Sequence, residues 1–177
     1  KASAGLAFGE LQMQTPTLGF QKANEAIGML EAGHARTNAA PNGWSLSYEV
    51  RTGTRTLDSD FVFTRHQGKA GYAFSWKGND FAMESTLGRI TGGAPMFERF
   101  SLGSGYALRG WNKYEINPLG GNRMAYGTAS FSRSIFTAFY NVGSVWDAGQ
   151  PGATRHSVGV TLHAKHCKPP SLFYNPA

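Results

Sequence analysis

An all-β, antiparallel architecture is what this sequence predicts. Three observations lead there: period-two alternation of apolar and polar residues, abundant glycine and aromatics, and sparse charge. The 177 residues include 23 glycines and 13% aromatics, with only 16% charged residues. Aromatic residues fit a pleated, half-buried surface, and this composition points away from helices. The length fits one domain or part of a larger one.

The segments follow in order. Residues 1–43 are the least legible. "KASAGLAFGELQ" reads as a strand with Leu6 and Phe8 outward. "FQKANEAIGMLEAGH" puts Phe20, Ala23, Ile27 and Leu30 on one helical face, but its glycines and Asn24 weaken a helix, leaving strand or short helix. From residue 44 the alternation is plain. In "WSLSYEVRTGTRTL" one face carries Trp44, Leu46, Tyr48 and Val50, and the other Ser45, Ser47, Glu49, Arg51 and Gly53. "FVFTRHQGKAGYAFSWK" sets Ala70, Tyr72, Phe74 and Trp76 against Lys69, Gly71 and Ser75, before a turn at Gly78-Asn79. "DFAMESTLGRI" alternates Phe81, Met83 and Leu87 with Asp80, Glu84 and Thr86. After a long irregular stretch, "SIFTAFYNVGSVW" sets Phe136, Ala138, Tyr140 and Val142 against Thr137, Phe139, Asn141 and Gly143. "RHSVGVTLH" does the same with Val158, Val160 and Leu162. Residues 44–163 therefore read as an antiparallel meander.

Alternation alone fits two architectures. In a soluble β-sandwich or small closed barrel the apolar face is the core. In a transmembrane β-barrel it meets lipid, and the polar face lines the lumen. Trp44, Trp76 and Trp146 stand at the ends of apolar stripes, as an interfacial girdle requires. Several segments also exceed the globular norm of about 5–6 residues and suit a tilted span. Both features favour the membrane barrel.

Between the strands, residues 91–123 form a long loop. Its "LRGWNKYEINPLGGNR" combines two arginines, two large aromatics, a proline and three glycines without periodicity. Long ordered loops in compact domains are usually functional. "APMFERFSLGSGYALRGWNKYEINPLGGNR", then "FYNVGSVWDAG" and "RHSVGV", resembles the C-terminal barrel of the Omp85 superfamily of bacterial surface antigen, BamA/TamA-type outer-membrane proteins. Leu108-Arg109-Gly110-Trp111 matches the family's loop-tip motif. Phe139, Asn141, Gly143, Val145 and Trp146 match its F-x-D-x-G-x-V-W strand motif, with Asn141 where the family has aspartate.

The resemblance implies that Arg109, Gly110 and Trp111 form the tip of a loop folded into the lumen. Arg109 would anchor it against Asn141, with Gly143 leaving room for close approach. A desolvated, unpaired guanidinium is costly, so it needs a fixed acceptor. A neutral Asn141 gives a weaker bond than an aspartate would. A family barrel has roughly sixteen strands, and this chain offers about six or seven. Residues 164–177, "AKHCKPPSLFYNPA", hold adjacent prolines and no alternation, so the tail reads as irregular and the whole as a partial, C-terminally truncated copy. Open strand edges are not tolerated in lipid, so self-association is one way to cover them.

The implied function is that of a bacterial outer-membrane barrel resembling protein-insertion or secretion pores. Its partners would be outer-membrane lipid or lipopolysaccharide and unfolded outer-membrane proteins, with no cofactor. The alternatives are a soluble β-domain that binds a ligand, and a hydrolase whose site only the fold assembles. The formal charge of +6 arises from basic residues scattered singly, without the clustering that nucleic-acid binding needs. A lone Cys167 excludes a disulfide framework and a CxxC metal site. No apolar run approaches a transmembrane helix. No nucleophile elbow, Walker loop or GxGxxG is present, so no catalytic residue is assigned. "HAKHC" (His163, His166, Cys167) is an isolated cluster, and no metal site is assigned to it. Asp58 and Asp60, near Arg55 and Arg65, read as a turn with solvated charges. His66 and His156 read as lumen or rim polar residues.

Overall fold

Eight antiparallel strands follow one another as an uninterrupted meander in the computed structural model, which describes residues 1–15, 19–37, 41–103 and 107–162. They are β1 (Ala2–Thr15), β2 (Gly19–His34), β3 (Asn42–Gly53), β4 (Phe63–Trp76), β5 (Asn79–Gly92), β6 (Arg123–Arg133), β7 (Phe136–Trp146) and β8 (Arg155–Leu162). Each pairs with the next in one sheet, whose order is that of the sequence. The sheet is not closed: β1 and β8 are its edges. A sandwich would need a second sheet, so the soluble-sandwich alternative does not hold.

The stretch left open between strand and short helix is β2, paired along both sides with β1 and β3. Its helical stripe was a coincidence of spacing. Ala23 and Ile27 lie on one face of the strand and Leu30 on the other, since side chains alternate along a strand. The turn expected at Gly78-Asn79 sits one residue earlier. Trp76 pairs with Asn79, and Lys77 and Gly78 between them have φ of 49° and 77°. Two left-handed residues in a two-residue loop make the hairpin turn whose twist suits the strands.

The two faces of the sheet differ completely. One is bare and apolar: Leu6, Phe8 and Val158 are 89%, 82% and 81% exposed, and Leu46, Met83, Leu87 and Leu162 are also exposed. A cross-strand row on this face runs Trp44, Tyr72, Met83, Ala129, Tyr140 and Val158. The other face is covered by the β5–β6 loop. Here Phe63, Ile90, Met124 and Val145 from the strands bury Phe100 and Leu102 from the loop. The core of the molecule is therefore the junction of loop and sheet.

Candidate functional site

Two arginines make the loop-covered face chemically demanding. Arg51 of β3 stands directly opposite Arg65 of β4, and like charges in that relation repel. Three carboxylates answer them. Glu49 lies 2.8 Å from Arg51 and 3.1 Å from Arg65. Glu25 of β2, almost wholly buried, lies 3.3 Å from Arg51. The third, Glu98, comes from the loop, where Met96–Glu98 forms a 3-10 turn. It sits 3.8 Å from Arg51 and 3.9 Å from Arg65. Burial pushes the Glu98 carboxyl above its ordinary value, against the pull of both arginines.

From Glu98 the loop runs across the sheet. The Phe100 ring lies 4.6 Å below the Arg65 guanidinium and over Gly88, where any side chain would occupy the ring's place. Phe100 and Gly121 exchange two backbone hydrogen bonds, closing the base of the loop. Beside them Arg99 donates to both oxygens of Asp147 at 2.6 Å. Leu102 faces Gly143 of β7; a Cβ built there would stand 2.8 Å from the Leu102 Cδ1.

The tip motif is a tight turn in which the Trp111 N–H donates to the Leu108 carbonyl. Leu108 is fully buried and holds φ at 54°. A left-handed leucine costs on the order of 1–2 kcal/mol and persists only where packing enforces it. Arg109 is exposed, with its guanidinium 4.6 Å from the Phe139 ring centroid on β7. The Trp111 indole N–H donates to the His156 carbonyl of the edge strand β8 at 2.9 Å, and Arg155 stacks on the indole at 5.1 Å.

The residues singled out from sequence thus meet on β7 and β8, with different partners from those expected. Arg109 reaches the first residue of the strand motif, Phe139. Asn141, 2% exposed, accepts from the Tyr126 hydroxyl and donates to Ser157. Gly143 makes room for Leu102 rather than for the tip. Gly110 has φ of 89°, which the turn after Arg109 requires.

The charge cluster was missed. Its signal was the placement of Glu49 and Arg51 on a polar parity, but their partners lie on other strands. Arg65, expected among solvated turn charges, is an interior residue. Asp58 does pair at the surface, with Lys22 at 3.1 Å, and Asp60 accepts the Lys22 backbone N–H. His66 and His156 do not line the loop-covered face. Each lies on the bare face, bonded through Nδ1 to a tyrosine hydroxyl at 2.6 Å: Tyr48 and Tyr140 respectively. The "HAKHC" cluster and the tail lie outside the described residues.

Residues 35–167 match the family model described as the Omp85 superfamily domain. The chain belongs to the Omp85 superfamily. The match begins just before β3 and runs past β8, so β1 and β2 precede it. An open, all-β sheet with an Omp85 match is that of a partial Omp85-type barrel. Omp85 proteins are bacterial outer-membrane barrels of the protein insertion and secretion families. No curated protein matches the chain.

Proposed function

We propose that this chain is the loop-bearing part of an outer-membrane Omp85 barrel that helps other proteins insert into or cross the membrane, and that its seated loop is the working element. The observation that carries this is the loop's position: it lies across the polar face of the sheet, tied by Glu98 to Arg51 and Arg65, while the opposite face is bare and apolar. A bare apolar face suits lipid, and a polar face with a tethered loop suits a lumen. Arg109 anchors the tip by stacking on Phe139, with Trp111 holding the neighbouring strand. The free edges of β1 and β8 pair with further strands, supplied by additional chain or a second copy, because lipid leaves no unpaired backbone unpenalised.

The test is reconstitution. The chain is refolded into vesicles, and the folding rate of a second, unfolded outer-membrane barrel is followed by its gel mobility shift. Acceleration that disappears with Phe100→Ala, which empties the loop's seat above Gly88, supports the proposal. A chain that stays folded and monodisperse in buffer and ignores vesicles refutes it.

A further inference from the structure

On the bare face, one cross-strand row stands out chemically. His66 of β4 is directly opposite Arg89 of β5, Arg89 is opposite Arg123 of β6, and Arg123 is opposite Trp146 of β7. Arg89 is exposed, and among the described residues it carries neither hydrogen bond nor ion pair. Arg123 stands directly opposite Arg89 in the register and donates from Nη1 to the Ile90 carbonyl at 2.9 Å and the Asn122 carbonyl at 3.1 Å. Two arginines directly opposite each other on an otherwise apolar face repel, and an anion bound between them relieves that repulsion.

The height of this row follows from the two tyrosine–histidine pairs. They share one geometry: rings stacked at 6.1 Å and 6.0 Å, hydroxyl and Nδ1 at 2.6 Å. The register puts Tyr140 in the row of Trp44, and Tyr48 stands four residues further along β3. The pairs are therefore offset by about 13 Å along the strands over about 19 Å across them. That slope is about 35°, the tilt of strands in a membrane barrel. With the strands so tilted, both pairs lie at one level, and the arginine row, square to the strands, climbs from His66 by about 3 Å per strand, setting Arg89 and Arg123 just above that level. Below it on β4, about ten residues separate His66 from Trp76, or about 25 Å of height, the thickness of a lipid-facing band. Trp76, Phe74, Phe81 and Phe131 form the aromatic belt at the far boundary, linked by ring contacts between Phe74, Phe81 and Phe131.

We infer that Arg89 and Arg123, flanked by His66 and Trp146, bind the phosphate of an anionic lipid headgroup at the loop-side membrane boundary. The guanidiniums take the phosphate oxygens, Trp146 fills the interfacial layer, and Leu87 next to Arg89 meets the acyl chains. This rests on the outer-membrane barrel reading above.

The experiment uses the full chain refolded into phosphatidylcholine vesicles containing phosphatidylglycerol. Brominated acyl chains on one lipid or the other quench tryptophan and report relative affinity. The expected result is a preference for phosphatidylglycerol that falls about fivefold in Arg89→Gln, as one lost cation near an anionic surface predicts, and survives in Arg89→Lys. No preference in the unaltered chain, or one untouched by Arg89→Gln, overturns the inference while leaving the barrel reading intact. Displacement of the lipid by inorganic phosphate would make this a free-anion site and also overturns it. Absence of any quenching means no insertion, and both readings fall together.

Discussion

The Arg65 guanidinium lies on the Phe100 ring at 4.6 Å, while the same arginine pairs with Glu49 at 3.1 Å. One strand residue therefore holds the loop through an aromatic face and the sheet through a carboxylate. Phe100→Ala removes the ring and empties the space above Gly88. The expected cost is about 3–5 kcal/mol, seen as cleavage of residues 93–122 by a protease that spares the unaltered protein. Unchanged cleavage would show that the loop is held elsewhere.

Space decides the second contact. Gly143→Ala brings a methyl group within 2.8 Å of Leu102 and also crowds the Tyr126 ring. Overpacking of this kind costs about 1–3 kcal/mol. Leu102→Ala in the same chain should restore most of the loss in thermal stability. If the double variant is no better than the single one, Leu102 is not what Gly143 accommodates.

Arg109→Ala should loosen the tip only modestly, by about 0.5–1 kcal/mol, because an exposed cation–π contact is weak. Asn141→Asp changes that. A carboxylate in this buried position needs a cation, and the loop's Arg109 already lies over Phe139, two residues away on the same strand. A double-mutant cycle should then give a coupling of about 2 kcal/mol or more between Arg109 and Asp at 141. A coupling near zero would mean that Arg109 stays on Phe139.

Acidity should tighten the loop through Glu98. Burial raises its carboxyl above the ordinary value, so at pH between the two values docking takes up a proton. Docking is favoured in full below the ordinary glutamate value and loses this contribution as pH rises through the raised one. The change is at most about tenfold in the docking equilibrium per pH unit. Hydrogen exchange of the loop amides measured across the acidic range reads it directly. Glu98→Gln should flatten the profile, and a slope that persists in that variant would assign the effect to another group.

Much of this was legible in the sequence, for identifiable reasons. From Trp44 onward one face of each strand is apolar, and period two announces itself. β2 hid because both of its faces carry small or apolar residues: Ala23 and Ile27 towards the loop-covered side, Ala26 and Leu30 away from it. A strand without contrast between faces can imitate a helical stripe. The tip motif was readable as a motif, but its contacts were not. Whether Arg109 meets Phe139 or Asn141 depends on the turn at Leu108 and Gly110, which spacing does not encode. Glu98 was invisible as a partner because Arg51 and Arg65 lie more than thirty residues earlier in the chain. The histidines show the opposite case. Their parity matched the apolar face, and only their polarity argued for the lumen. The tyrosine hydroxyls reconcile the two.

The loop also has a mechanical role that its individual contacts do not reveal. Its grips are spread from Arg51 on β3 to His156 on β8, a distance of about 24 Å of sheet at about 4.8 Å per strand spacing. A brace fixed at both ends sets the arc of the wall beneath it. Releasing one end would let the sheet flatten and turn its two free margins away from each other. The circumference available to any strands that complete the wall is therefore governed by a segment that belongs to none of them.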